Sequence, residues 1–277
     1  MRNVAWRLGR CGRIRMNATH AEIRPLPRLL YHYTTQRGLL GILGDKKLWA
    51  TGIRHLNDST EFEYALKLAD EQLGPEKLSS VWGGRVNRWL EAVGEPFVAS
   101  FSEQRDLLSQ WRAYCHDEAG FSIGFEIEAL GRISEREEMS LLRCIYDSSE
   151  HRNMIRNLLL TDPLRSSPLT DIESLSDVAW LAPMMKDEAF KQEEEWRLVS
   201  SSGKIIRPLY RAGQSFLIPY CEIDLRIKDI ENSIIGEIVV GPTPHMQLSL
   251  DTVRQFLRDN SYKNVTVTPS RVPYRSW

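Results

Sequence analysis

The 277-residue chain has few cysteines, no long apolar run and almost no net charge. Each shortage closes off a class of protein. Cys11, Cys115, Cys144 and Cys221 are scattered, without the paired spacing of a zinc or redox motif, and read as reduced thiols of a cytoplasmic protein. No stretch approaches the roughly 18 apolar residues that span a bilayer, so no membrane partner is expected. A net charge of −1 supplies no global attraction for nucleic acid. The phosphate loop GxxxxGK, the dinucleotide fingerprint GxGxxG, the nucleophile elbow GxSxG and the zinc pair HExxH are all missing.

What is present is ordinary globular composition, 42% hydrophobic and 26% charged, with charge unevenly placed. Arg2, Arg7, Arg10, Arg13 and Arg15 all precede the first acid, Glu22. Residues 1–27 therefore read as a basic leader, disordered or peripheral. It is either a nucleic-acid arm or targeting peptide, or translated upstream sequence with Met16 as the true start. Residues 28–277 show no repeat, low-complexity tract or linker, and read as a single α+β domain.

Along that body, Arg28–Tyr33 reads as a strand, and Thr34-Thr35 as the cap of a helix stopped by Gly44. Lys47–Thr51 is a second strand. Asp58 and Glu61 form a capping box for the next helix; with Asn57 they are also oxygen donors of the kind a hard cation takes. Pro96–Ser102 alternates as a strand with Ser100 and Ser102 on one face, small hydroxyls that leave room for something to lie against it. Leu107, Leu108, Trp111 and Tyr114 follow at helical spacing. Gly120–Glu128 and Leu141–Tyr146 alternate as strands, and Ser149–Leu160 and Asp171–Met185 read as helices. Further β-like runs cover Lys204–Leu209, Ser215–Leu225 and Ile234–Val240. A helix over His245–Asp259 and a strand over Val265–Thr268 complete the chain.

The most distinctive stretch is Phe190-Lys-Gln-Glu-Glu-Glu-Trp-Arg-Leu-Val199. A strand starting near Glu193 places Glu193, Glu195 and Arg197 on one face, with Glu194 and Trp196 on the other. Two carboxylates about 7 Å apart on a strand face repel unless a cation or hydroxyl-rich ligand offsets them. The plainer reading is a solvated strand end balanced by Arg197 and Lys191.

Tyr31-His-Tyr-Thr34, Leu56-Asn-Asp58 with Glu61, Ser100-Phe-Ser102, Gln110-Trp111 with Tyr114, Gly120–Phe125, Lys186 with Phe190, Glu193-x-Glu195-Trp-Arg197 and Glu237–Gly241 together resemble a bacterial family of unknown function, DUF2971. These motifs run from Arg28 to Gly241. Their order of His, Ser-x-Ser and Glu-x-Glu is also similar to the ADP-ribosyltransferase superfamily. That resemblance implies two small antiparallel sheets packed roughly orthogonally, with flanking helices and NAD as co-substrate in the cleft between them. By the same resemblance His32, with Tyr33 and Thr34 beside it, contacts the adenosine ribose. Ser100 or Ser102 positions the nicotinamide half, Tyr114 or Tyr33 stacks on its ring, Glu195 binds the nicotinamide ribose, and Glu193 orients or deprotonates an acceptor.

The expected activity is thus ADP-ribosyl transfer to a macromolecular acceptor, protein or nucleic acid, or NAD glycohydrolysis, in a toxin-like or phage-defence role. The alternatives are a non-catalytic nucleotide- or nucleic-acid-binding module, and a metal-dependent nuclease using Asn57, Asp58, Glu61 and the glutamate pair. The enzymatic reading requires His32, the serines and Glu195 to line one crevice. A Glu195 buried in a salt bridge with no open space beside it argues against it.

Overall fold

The computed structural model describes residues 25–56, 60–73, 95–114, 119–160, 181–200, 206–227 and 234–273. The basic leader, Asn57, Asp58, the Glu61 side chain, the 171–180 part of the expected helix and 204–205 of the expected strand lie outside them. The aromatic and β-branched run Leu29–Thr35 forms β1. The Thr35 hydroxyl then accepts the Gly38 N–H at 3.2 Å and starts helix α1, Gln36–Asp45. The helix passes Gly44 and ends where Lys46 turns left-handed, its ammonium 3.5 Å from the centre of the Tyr262 ring.

The remaining strands are β2 (Lys47–Gly52), β3 (Phe97–Ser102), β4 (Gly120–Glu126), β5 (Met139–Arg143), β6 (Glu195–Ser200), β7 (Leu209–Ala212), β8 (Leu217–Asp224), β9 (Ile235–Val240) and β10 (Thr266–Pro269). The helices after α1 are α2 (Thr60–Leu73), α3 (Leu108–Tyr114), α4 (Ile127–Arg136), α5 (Ser148–Leu160) and α6 (Met246–Asp259). Helix α4 takes over where the strand from Gly120 was expected to continue to Glu128. Its Ile127, Leu130 and Ile133 are buried at helical spacing, and Arg136 at its end donates to the carbonyls of Asp224 and Arg226.

The α+β class is as expected, but the two sheets are joined. One hydrogen-bonded network runs β10-β9-β4-β1-β3-β2-β8-β7, and β6 with β5 beyond it also pairs with β3. All pairings are antiparallel except β9 with β10. β6 takes one edge of β3 from Val98 to Ser102. The other edge is shared: β1 meets it at Tyr31↔Ser102, and β2 at Thr51↔Val98 and Gly52↔Phe97. Two wings therefore hang from one edge of β3 and part around Ser100.

Register assigns the faces. Leu30, Phe97, Ala99, Phe101, Trp196 and Leu198 point into the main core, covered by α1, α4 and α6. On the opposite face Val98, Leu142 and Val199 pack under α2, α5 and the segment 181–185, while Tyr31, Tyr33 and Val239 pack with Trp111 of α3. Each fully buried aliphatic or phenyl side chain contributes about 1.5–3 kcal/mol. Asp106 completes the α3 corner by accepting from Trp111 Nε1 at 2.7 Å, Ser270 Oγ at 2.6 Å and Arg271 N at 2.7 Å.

Close approach fixes the register at Gly124. A Cβ there would lie 2.8 Å from Cε1 of Tyr31, whose hydroxyl is held by Glu237 at 2.8 Å. Gly124→Ala should cost about 1–3 kcal/mol in urea unfolding. A loss under ~0.5 kcal/mol would show that the tyrosine ring yields freely.

Candidate active site on the central strands

β6 starts at Glu195, not Glu193. Glu193 ends a 3-10 turn (Glu188–Glu193) capped by Asp187, whose Oδ1 accepts Ala189 N–H at 2.9 Å. Glu194 then adopts a left-handed conformation, φ 42° and ψ 54°, which breaks the alternation assumed for Glu193 and Glu195. From Glu195 onward the register with β3 is regular: Ser102 faces Glu195, and Ser100 faces Arg197. Directly opposed side chains on one face stand about 4.5–5.5 Å apart at Cβ. The hydroxyl strand and the acid strand are thus neighbours, although most of the chain between them lies elsewhere.

Glu195 is 5% exposed and closed by cations. Arg197 donates from Nε to Oε1 at 2.7 Å and from Nη2 to Oε2 at 3.1 Å, and its Nη1 reaches the Pro183 carbonyl at 3.1 Å. Lys186, also buried, donates to the second Glu195 oxygen and to Glu193 Oε2, the latter at 2.7 Å. Through Lys186 the Glu193 carboxylate rejoins the site despite the kink at Glu194. The Glu195 backbone N–H donates to the Tyr146 hydroxyl at 2.8 Å.

Burial alone would raise the Glu195 carboxyl, but Arg197 and Lys186 outweigh it and hold it down at about 2, so it is an anion at any physiological pH. Burial pulls Lys186 the other way, and the carboxylates of Glu195 and Glu193 more than restore its proton. Tyr114 ends α3 with 37% of its surface exposed; burial at its hydroxyl end, and next the Glu195 charge, push its phenol up to about 12. It belongs to the cluster electrostatically.

The other expected residues divide. Ser102 donates to the Glu193 carbonyl at 2.5 Å and accepts Gln104 N–H at 2.9 Å, so its hydroxyl ties the segment before β6 to the loop after β3. The Ser100 hydroxyl makes no hydrogen bond among the described residues. Tyr33 is buried edge-on against Trp111, ring centres 4.8 Å apart. Its hydroxyl donates to Gln104 O at 2.7 Å and accepts Leu107 N–H at 2.9 Å, an arrangement that holds the 104–107 loop and leaves the ring no open face.

His32 sits one residue out of phase. Tyr31 pairs with Ser102, so His32 and Thr34 project to the opposite face, where the imidazole lies 5.8 Å from Phe101. It stands in the parting of the two wings, with Nδ1 2.9 Å from the Ser100 carbonyl. A carbonyl only accepts, so Nδ1 carries the proton; burial lowers the pKa, leaving a neutral ring whose Nε2 lone pair has no partner among the described residues. The structure puts Glu195, Ser100 and Ser102 on one face, with Glu193 joined through Lys186 and Tyr114 close by, while His32 and Thr34 lie on the opposite face and His32 meets the set only at the Ser100 carbonyl. Lys186 and Tyr146 complete the cluster and were not assigned to it from sequence. The signal for Lys186 was a lone cation ending the apolar run Ala182–Met185.

Among the described residues no group of three or more His, Cys, Asp or Glu side chains is placed to hold a metal. Of the glutamate pair of the nuclease reading, Glu195 is paired with both Arg197 and Lys186 and Glu193 with Lys186, the reverse of what a cation requires.

The family model for a protein of unknown function (DUF2971) matches residues 110–198, a narrower span than the motifs from Arg28 to Gly241. It includes Trp111, Tyr114, β4, Lys186 and the Glu193–Arg197 stretch. No curated protein matches. Among solved structures, DarT of Thermus sp. 2.9 in complex with ADP-ribosylated single-stranded DNA overlaps at a TM-score of 0.36 and 12% identity. The overlap covers 91% of this chain and 98% of that one, and is too loose to bear on the chemistry of the site.

Because the Glu195 carboxyl is depressed in the folded state, its stabilisation is complete above its unfolded pKa of about 4.5 and is lost as pH falls towards 2. Glu195→Gln should cost about 3–5 kcal/mol at pH 7 by leaving buried cations underpaired. In denaturant titrations the gap between parent and variant should narrow at pH 3; a gap equal at both pH values would contradict this linkage.

Proposed function

We propose that the chain is an NAD-dependent ADP-ribosyltransferase, with Glu195 as the carboxylate beside the nicotinamide ribose. The observation that supports this most is a glutamate gripped by Arg197 and Lys186, its carboxyl held down at about 2, directly across the register from Ser102 and next to Ser100, whose hydroxyl makes no hydrogen bond among the described residues. Departure of nicotinamide breaks the bond from its ring nitrogen to ribose C1′ and leaves positive charge on the sugar. A fixed anion stabilises that charge more than it stabilises the neutral ribose. Arg197 holds the carboxylate by two hydrogen bonds and can keep it oriented while a ribose hydroxyl takes the place of Lys186.

The neutral His32 offers a hydrogen-bond acceptor at Nε2, suited to the hydroxyl of a second ribose, while the Ser100 carbonyl fixes its tautomer. Ser100 stands between the two residues and suits the diphosphate–nicotinamide half. Glu193, held by Lys186, would orient the acceptor's nucleophile and accept its proton as the nucleophile's bond to ribose C1′ forms and the bond to nicotinamide breaks.

A second reading, a non-catalytic nucleotide-binding module, draws support from the same cluster. Both Glu195 oxygens are engaged by Arg197 and Lys186, and His32 projects from the other face of β1. Free nicotinamide measured after incubation with NAD, with and without protein or single-stranded nucleic acid as acceptor, separates the two. The enzymatic reading expects Glu195→Gln to lower nicotinamide release about a hundred- to thousandfold. It also expects no acid limb in parent activity from Glu195 near neutral pH, because Arg197 and Lys186 hold its carboxyl down at about 2. NAD binding with no release under any of these conditions would assign the chain to the second reading.

A further inference from the structure

The wing formed by β2, β7 and β8 carries a second constellation on the same sheet face as Glu195. Thr51 pairs with Val98, so Trp49 and Thr51 share the face of Ser100 and Arg197; across β2, Glu222 and Tyr220 share it too. The Trp49 indole is 47% exposed and rests on the nearly buried Tyr220 ring, centres 4.4 Å apart at 35°. A tryptophan braced on one side presents its other side at little further entropic cost.

Arg211 of β7 reaches over Thr51, two residues (~7 Å) along β2 from Trp49. Its only hydrogen bond is a long one, 3.4 Å from Nη2 to Thr51 Oγ1; its Nε is buried without a partner, and no carboxylate pairs with it among the described residues. Farther along, Phe216 is 57% exposed and lies 5.7 Å from the His55 ring. Between Ile206 and Cys221 the sequence carries Arg207 and Arg211 and no acid, and Glu222 opposite Trp49 is paired with Lys47.

We infer that this wing binds single-stranded nucleic acid, with one unpaired base stacked on Trp49, a phosphate on Arg211 and a second base near Phe216. Exposed rings and a guanidinium with no carboxylate partner among the described residues match the chemistry of a strand whose bases are free to stack and whose backbone is anionic. A duplex buries its bases and has no ring to offer Trp49. This names a class for the acceptor left open above, but strand binding requires neither NAD nor Glu195, so each can fail without the other.

The test is fluorescence anisotropy with a labelled oligothymidylate of about 12 nucleotides and the matching duplex, titrated with the full chain at several salt concentrations. The single strand should bind more tightly than the duplex, with affinity falling as salt rises. Trp49→Ala should weaken binding roughly 5- to 100-fold, Trp49→Phe should restore most of it, and Arg211→Gln should weaken it and flatten the salt slope. The Trp49 variants should keep their parent's nicotinamide release without acceptor, which separates loss of the strand from damage to the site. Equal affinity for duplex and single strand, or parental binding by both Trp49→Ala and Arg211→Gln, would overturn the inference.

Discussion

The interaction on which the rest of the structure leans is the grip of Arg197 and Lys186 on Glu195. It ties β6 to the segment 183–186, and through Glu193 to the turn that leads into the strand. Three buried charged groups, with the partly buried Glu193 beside them, carry a desolvation cost that an apolar set of equal volume would avoid, and such replacements are often neutral or stabilising. Their presence at the centre of a sheet, between two apolar clusters on the same face, is therefore not explained by stability alone. The grip also sets the state of the site: the acid stays ionised, and the lysine beside it stays charged.

The second constraint is the branching of β3. Because β6 occupies one whole edge, β1 and β2 must share the other, and they part around Ser100. His32 sits in that parting and satisfies the Ser100 carbonyl with its ring. A polar group there is required in any case, since a buried carbonyl left without a donor is costly. In that parting the side chain of His32, on the far face of β1, meets the backbone of the serine strand. The same residue that meets this structural need keeps an Nε2 with no partner among the described residues.

Much of this was legible in the sequence wherever the periodicity was clean. Phe97–Ser102 alternates and is a strand; Leu108, Trp111 and Tyr114 have helical spacing and form α3. Other features were hidden for identifiable reasons. Nothing marks Glu194 for a positive φ, since glycine or asparagine usually holds such a position, so the strand was expected to start at Glu193. The alternation of β4 runs on through Glu126-Ile127-Glu128 and masks the start of α4. The face of His32 depends on pairing register, which two strands separated by helices α1 and α2 and by β2 do not declare. Likewise, Lys186 shows no strand or helix pattern of its own, and only the fold brings it to the acid.

The most direct test is a crystal structure of the full chain with NAD bound. The account predicts the nicotinamide ribose within hydrogen-bonding distance of Glu195, with Lys186 moved aside and Arg197 in place, and the dinucleotide passing Ser100 towards His32. NAD bound on another surface, with Lys186 and Arg197 still closed over the carboxylate, would contradict it.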